Sequence, residues 1–149
     1  MSRQPIVAAP NTPFAQVWKL IFEKRVSGLP IVVKGNVLVG IVSEEDVIEK
    51  LYPSYEEYFF DPMSAKNFEA MENIPSDVSA IPAKDFMSRN IFTTTEETPI
   101  MKAASTMLVN RVSCLPVVRM KQEKMILVGI ICKGDIFGQL FKTMLGRKK

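Results

Sequence analysis

Two short polar motifs have the residue types and the spacing to bind a ligand. In the first, Ser43 and Asp46 stand three residues apart, directly behind the apolar run 37–42. A hydroxyl residue followed by acids is typical of the start of a helix, where unpaired backbone amides suit an anion and a carboxylate can accept hydrogen bonds. The second motif places Cys132 and Asp135 at the same spacing behind another apolar run. Each pair is equally suited to capping its own helix, so both interpretations stay open at this point.

The motifs recur because the chain repeats a longer pattern. Met-Ser-Arg begins at residue 1 and again at residue 87, and Arg-Val-Ser begins at residues 25 and 111, an offset of 86 in both cases. The offset is 89 between Asp46 and Asp135, so the second copy carries three additional residues. We place them in a loop at 119–124, since loops absorb insertions at the lowest cost. We predict two repeats, 1–52 and 78–149, joined by a connector over 53–77.

The apolar periodicity predicts the order β-α-β-β-α in each repeat. We therefore expect an α/β (α+β) fold of two similar units with pseudo-two-fold symmetry. Both helices that follow the first extended segment should be capped by a threonine, Thr12 or Thr98, with proline at the first helical position. Gly40 stands inside a strand, which predicts that another segment approaches its backbone closely. The expected elements are an extended segment at 5–8, strands at 29–33 and 37–42 and a helix over 44–51, and in the second copy an extended segment at 91–95 and a closing helix over 134–144.

The composition of the chain limits its location and its partners. With 47% hydrophobic and 23% charged residues it is an ordinary globular chain. Since it has neither a signal-peptide pattern nor an apolar run long enough to cross a bilayer, we expect a cytoplasmic protein with no membrane contact. Cys114 and Cys132 could form one disulfide only if the geometry allowed it; without a secretion signal, we predict buried, reduced thiols. The second half is basic but lacks interleaved aromatic residues, so no nucleic-acid partner is predicted.

The residue inventory also argues against catalysis. The chain has no histidine, and it shows no metal-ligand cluster, no nucleophile paired with a base and no phosphate-binding glycine-rich loop. Asp46 and Asp135 belong to separate copies of one motif, which is not the arrangement of an acid/base pair. We predict no enzymatic activity, no metal and no required cofactor.

Several of these strings together resemble a known family. Met-Ser-Arg, Thr-Pro, Arg-Val-Ser-x-Leu-Pro and Gly-Ile-x-(Ser/Cys)-x-x-Asp, each present twice in the same order, resemble a tandem cystathionine-β-synthase (CBS) domain pair, or Bateman module, standing alone. The resemblance covers nearly the whole chain except 52–76. It implies two intertwined units that leave two clefts for adenine nucleotides or related adenosyl compounds (AMP, ADP, ATP or S-adenosylmethionine). The lead-in at 84–86 has no counterpart before Met1, so either an upstream segment has been removed or a neighbouring chain supplies it.

The resemblance implies one set of ligand-binding residues in each cleft. The aspartate of one repeat would accept hydrogen bonds from the ribose hydroxyls, while apolar residues of the other repeat would sandwich adenine; ordinary core packing is the alternative for the latter. Cys132 replaces the hydroxyl residue in the second set, which makes that site the weaker one. Arg89, Arg111 and Lys133 are candidates for phosphate contacts or solvated charges. The first set is Ser43, Asp46, Ile91, Phe92, Val112, Ser113 and Cys114, and the second is Asp135, Cys132, Pro5, Ile6, Val26, Ser27 and Gly28.

The resulting hypothesis is a regulatory module that senses adenine nucleotides or S-adenosylmethionine. The alternative is a protein-interaction or dimerisation module without nucleotide. Family resemblance implies a homodimer formed through helices, and Phe14, Trp18 and Phe22 offer an apolar stripe for it, unless that stripe is core within one chain. The aromatic residues of the 53–77 connector either pack on the core or bind a partner, such as an unidentified regulated protein.

Overall fold

The computed structural model describes residues 3–51 and 76–145 of the chain. Most of the predicted connector lies outside the described residues. The first repeat contains α1 (Phe14–Lys24), β1 (Gly28–Val33), β2 (Val37–Ser43) and α2 (Glu44–Leu51). A short helix α3 (Ser76–Ser79) and a 3₁₀ turn (Ala83–Asp85) come next. The second repeat contains α4 (Ile100–Asn110), β3 (Cys114–Lys121), β4 (Lys124–Cys132) and α5 (Lys133–Leu145).

The predicted pair of β-α-β-β-α units is confirmed by the order of the strands. The four strands form one antiparallel sheet in the order β1-β2-β4-β3, so β2 and β4 meet at its centre and the repeats lie on either side. The two opening segments make equivalent parallel bridges, Ala8 to Ile31 and Thr94 to Val117. The bulges at 31/32 and 117/118 are equivalent as well. Two like sequences have folded alike and joined about a pseudo-two-fold axis.

The additional residues of the second repeat lengthen its hairpin instead of enlarging a loop, so that expectation was wrong. β3 and β4 have eight and nine residues, against six and seven for β1 and β2. Lys121 pairs with Lys124, which leaves Gln122 and Glu123 as a two-residue turn with φ of 50° and 66°. Positive φ at both positions matches the twist of antiparallel strands, so the extra residues continue the ladder.

The predicted threonine caps are also wrong. The helices begin at Phe14 and Ile100 behind extended N-cap prolines that make no side-chain cap bond. Thr12 Oγ1 accepts a hydrogen bond from the Ala9 amide at 3.0 Å, and Thr98 Oγ1 accepts one from the Thr95 amide at 3.2 Å. Each threonine closes the turn before its helix. The first amide of α1, on Phe14, instead donates to the carbonyl of Ile81 at 2.7 Å, which satisfies one of the unpaired groups at the helix start.

Segment 78–87, which the sequence assigns to the second repeat, packs on the core of the first. Phe86 lies against the fully buried Phe14 with ring centroids 5.3 Å apart, and the Ala83 amide donates to the Thr12 carbonyl at 2.9 Å. Met87 crosses directly over Gly40, where any Cβ would overlap its side chain. The close approach predicted at Gly40 is therefore present, and the crossing segment ties the repeats together.

Candidate ligand-binding clefts

The first cleft, called cleft 1, lies where β2 ends and α2 begins. It is a cavity of about 350 Å³ whose walls come from both repeats. Ser43 is the last residue of β2, so the change from strand to helix places the hydroxyl and Asp46, one turn on, at the cleft wall. The lining residues are Ser27, Gly28, Ile41, Ser43, Glu45, Asp46, Ser88, Asn90, Phe92, Arg111, Val112, Ser113 and Cys114.

Ser43 and Asp46 hold each other in a reciprocal cap. Asp46 Oδ2 accepts hydrogen bonds from the Ser43 amide at 2.8 Å and from the Ser43 hydroxyl at 3.0 Å, while the Asp46 amide donates to Ser43 Oγ at 3.2 Å. The capping interpretation is therefore confirmed, and Asp46 takes the place that glutamate has in the common capping box. Asp46 Oδ1 makes no hydrogen bond with the described residues, so capping leaves one carboxylate oxygen free to accept bonds from a ligand.

The second cleft, called cleft 2, is the pseudo-symmetric counterpart between β4, α5 and the turn after α1. Its volume is about 310 Å³. The Cys132 amide donates to Asp135 Oδ2 at 2.8 Å, but Cys132 has no hydroxyl to complete the cap. Asp135 is exposed, whereas Asp46 is partly buried. The lining residues are Ile6, Arg25, Val26, Ser27, Gly28, Ile130, Cys132, Gly134 and Asp135.

The structure brings most of each predicted residue set together. Among the described residues, Ile91 lies outside the lining of cleft 1, and Pro5 lines a different cavity beside Arg3 and Arg119. Of the three candidates for a phosphate contact, Arg111 lines cleft 1, while Arg89 and Lys133 line neither cleft. The residues that the sequence interpretation missed are Glu45, Ser88, Asn90 and Ile41 in cleft 1, and Arg25, Ile130 and Gly134 in cleft 2.

One residue that the sequence interpretation missed, Arg25, can be identified from the repeat. Arg25 and Arg111 stand 86 residues apart, so choosing Arg111 as a candidate implies Arg25 for the other cleft. Both arginines end their helices in the left-handed conformation, with φ of 53° and 56°. This conformation turns the chain from each helix toward the following strand, and it brings both residues to the edge of a cleft.

The prediction that both cysteines are reduced thiols is wrong. Cys114 and Cys132 are direct partners in the register of β3 and β4, and their sulfur atoms form a disulfide of 2.06 Å. The hairpin register, which the sequence separation of 18 does not reveal, brings them together. Cys114 lines cleft 1 and Cys132 lines cleft 2, so the bond lies between the two cavities. Gly28 contributes to both linings, where a Cβ would approach Cys114 Cβ to 3.5 Å.

A third cavity contains an exposed ion pair. The Arg119 guanidinium donates to the Glu96 carboxylate near Arg3 and Pro5. This hydrogen bond from Arg119 holds the pKa of Glu96 below its ordinary value. Within 3–51 and 76–145 there is no group of three or more side chains suited to a metal ion, and no helix there is long and apolar enough to span a bilayer.

Fold and clefts define a class of protein: an internally duplicated β-α-β-β-α pair with two small clefts formed across its repeats. The sequence model of the CBS domain matches residues 1–53 and 83–142. The chain belongs to the CBS domain family, and the predicted tandem pair is confirmed.

Three known proteins illustrate the relationship. Protein MJ1426 of Methanocaldococcus jannaschii is 27% identical over 150 residues, covering 93% of this chain and 87% of that protein. The CBS domain pair of protein MJ0100, solved with 5′-methylthioadenosine and S-adenosyl-L-methionine, is 26% identical with a TM-score of 0.66, covering 100% of this chain and 94% of that chain. CBSX2 of Arabidopsis thaliana, solved with AMP, shares the fold at 23% identity and a TM-score of 0.70, over 96% and 92% of the two chains. The chain spans only 44% of a longer relative from the same archaeon.

Proposed function

We propose that this chain is a regulatory, non-catalytic module that binds adenine nucleotides or related adenosyl compounds in its two clefts. The observation that carries the proposal is the repeated aspartate at the start of α2 and α5. Each aspartate lies at the wall of a cavity built by both repeats. The volumes, about 350 and 310 Å³, are within the range of small-ligand pockets. The adenosyl ligands of the MJ0100 domain pair support this choice of ligand class.

In cleft 1 the proposed roles follow from the position of each group. Asp46 Oδ1 would accept hydrogen bonds from the ribose hydroxyls, since Oδ2 is already engaged by Ser43. Phe92 and Val112, both partly buried, would contact the faces of adenine. Ser113, beside them, offers a hydroxyl to the polar edge of the base or the sugar. A polar anchor at one end and an apolar slot at the other is the usual composition of a nucleoside site.

Cleft 2 is proposed as the weaker site. Cys132 supplies neither a hydroxyl to the ligand nor the second bond that would fix the aspartate. Asp135 is also exposed, so water competes for its carboxylate more effectively than it competes for Asp46.

Calorimetric titration tests the proposal. AMP, ADP, ATP, S-adenosylmethionine and 5′-methylthioadenosine would each be titrated into the parent chain and into a double variant, Asp46→Ala with Asp135→Ala. We expect saturable binding of at least one adenosyl compound by the parent and its loss in the double variant. Glu49→Ala removes an exposed carboxylate on α2 outside both linings, so it should bind like the parent. Flat isotherms for every compound would refute the proposal.

A second candidate function, self-association into a homodimer, is supported by exposed apolar side chains on the helices of both repeats. Phe22 and its counterpart Leu108 are 77% and 72% exposed, and Ile48 and its counterpart Phe137 are 50% and 78% exposed. Equivalent patches on the two repeats suit a self-complementary interface. The apolar stripe predicted from Phe14, Trp18 and Phe22 needs one correction. Phe14 is fully buried in the core of the chain, whereas Phe22 is exposed.

Sedimentation velocity over a range of concentrations tests the dimer. We expect a dimer for the parent and a monomer for Phe137→Glu, because the new charge would be buried at the helix interface. Met120→Glu is a matched control, since Met120 is 65% exposed on the β3–β4 hairpin, away from the helices. A parent that stays monomeric at high micromolar concentration contradicts the dimer. Dimerisation together with flat nucleotide isotherms would favour the interaction module, with a regulated protein as partner.

A further inference from the structure

We propose that the two clefts divide adenosyl ligands by charge. Cleft 1 selects a neutral or cationic compound such as a 5′-thioether or sulfonium nucleoside, and cleft 2 selects a nucleotide that carries a 5′-phosphate. This inference rests on the proposed function, because it assigns a ligand class to each of the clefts proposed there. The two repeats allow a direct comparison, since the offsets of 86 and 89 match each of the nine lining residues of cleft 2 with a lining residue of cleft 1.

The first difference is a carboxylate that only cleft 1 possesses. Glu45 lines cleft 1 beside Asp46, and the equivalent position in cleft 2 is Gly134. Each lining includes one arginine, Arg111 in cleft 1 and Arg25 in cleft 2. The lining of cleft 1 therefore contains two carboxylates and one guanidinium, whereas the lining of cleft 2 contains one of each. The excess negative charge disfavours a phosphate in cleft 1 alone.

The second difference lies in the backbone at the start of the two helices. In cleft 1 the Asp46 amide donates to Ser43 Oγ, so it is not available to an anion. In cleft 2 the corresponding amide, on Asp135, has no side-chain acceptor among the described residues, because Cys132 carries no hydroxyl. A Cβ on Gly134 would meet nothing within 4 Å, so the approach to this helix start is open. Free amides and open space at a helix start suit a phosphate.

The flanking residues do not add to the contrast. The first turn of α2 begins with Glu44 and the first turn of α5 begins with Lys133. Glu44 lines a separate cavity together with Arg25 of cleft 2, and the Lys133 amide donates to the carbonyl of Ser113, which lines cleft 1. Both residues are exposed and line neither of the two clefts, so their effect is a long-range one that salt weakens. Arg89, between two lining residues of cleft 1, is exposed and lies outside the lining, so it offsets the local carboxylates only at a distance.

The test compares AMP with 5′-methylthioadenosine, which share the adenosine group and differ at the 5′ substituent. Asp135→Ala leaves cleft 1 as the strong site and Asp46→Ala leaves cleft 2, so calorimetry on these two variants measures each cleft separately. We expect cleft 1 to prefer 5′-methylthioadenosine and cleft 2 to prefer AMP, with both preferences reduced in high salt. S-adenosylmethionine should follow the preference of 5′-methylthioadenosine.

Variants at the position that differs between the clefts, Glu45 in cleft 1 and Gly134 in cleft 2, test the inference directly. In the Asp135→Ala background, Glu45→Gln should raise AMP affinity roughly three- to tenfold and change 5′-methylthioadenosine affinity far less, because only the phosphate responds to the lost charge. In the Asp46→Ala background, Gly134→Glu should lower AMP affinity by a similar factor. Glu49→Gln, on α2 outside the linings, controls for a general change in charge, and thermal melting checks that each variant folds.

The possible outcomes separate this inference from the function on which it rests. Suppose that both clefts bind AMP and 5′-methylthioadenosine with the same ratio of affinities, and that neither Glu45→Gln nor Gly134→Glu changes this ratio. The proposed difference between the clefts is then refuted, while the proposed binding of adenosyl compounds is supported. If neither compound binds the parent, the proposed function fails and the division of ligands fails with it.

Discussion

Replacing Asp46 with alanine removes hydrogen bonds from the ligand-free protein and, under our proposal, from the complex as well. In the ligand-free protein Oδ2 accepts the Ser43 amide and hydroxyl hydrogens at 2.8 and 3.0 Å. Loss of this cap should lower the free energy of unfolding by about 1–2 kcal/mol. In the complex, Oδ1 would also lose charge-assisted bonds to the ribose, which typically contribute about 1.5–3 kcal/mol. A loss of that size weakens affinity by roughly 10- to 150-fold.

Two further variants separate capping from ligand binding. Ser43→Ala removes the hydroxyl that bonds in both directions with Asp46 but keeps the carboxylate, so it should cost about 1 kcal/mol of stability and lower affinity less than Asp46→Ala does. Asp46→Asn keeps an acceptor oxygen for the Ser43 amide but loses the charge. It should retain most of the stability and lose part of the affinity.

Calorimetric affinity and melting temperature, measured on all three variants and on Glu49→Ala, decide the question. The proposed role of Asp46 Oδ1 is refuted if Asp46→Ala binds as tightly as the parent, or if affinity falls in Ser43→Ala by as much as it falls in Asp46→Ala. The second outcome would mean that the cap, and not the free carboxylate oxygen, sets the affinity.

Three other predictions concern the stability of the fold. Reduction of the disulfide between the two clefts should destabilise the fold by about 3 kcal/mol, since it releases a loop with a separation of 18 residues; an unchanged melting temperature in dithiothreitol would contradict this. Gly40→Ala should cost about 1 kcal/mol or more because a segment crosses its backbone, whereas Gly138→Ala, with open space around it, should stabilise α5 by about 0.5–1 kcal/mol. Phe14→Ala should cost about 3–5 kcal/mol of unfolding free energy in urea titrations, and Phe22→Ala, at 77% exposure, should cost far less.

Local sequence signals predicted the elements well where the deciding interactions are also local. The helix over 44–51 was predicted with the observed bounds, because Ser43 and the following acids mark its start within four residues. The repeat offset then carried the same order of elements to the second half, and with it the two aspartates. Twelve of the fourteen predicted cleft residues line the two cavities, since the family resemblance places them by motif position.

Errors arose where a distant segment decides the outcome. Thr12 has a good N-cap side chain, but the Ile81 carbonyl bonds the helix amide of Phe14, and the threonine closes the preceding turn. The disulfide depends on the register of a hairpin whose strands are longer than in the first repeat. The sequence shows that Glu45 in the first repeat corresponds to Gly134 in the second. Only the structure shows that both residues line a cleft, where the difference in charge can affect a ligand.

The way in which the repeats cross has a consequence for regulation. Cleft 1 combines Asp46 of the first repeat with Phe92 and Val112 of the second, so neither repeat alone forms a complete site. A ligand bound there adds contacts between the repeats, and these contacts exist only in the folded pair. Binding must therefore be linked to stability, by about 2.7 kcal/mol at a free ligand concentration one hundred times the Kd. Ser27 and Gly28 line both clefts, so a ligand in one cleft also acts on the wall of the other. Under our proposal, a small molecule bound in either cleft would therefore stabilise the contact between the two repeats.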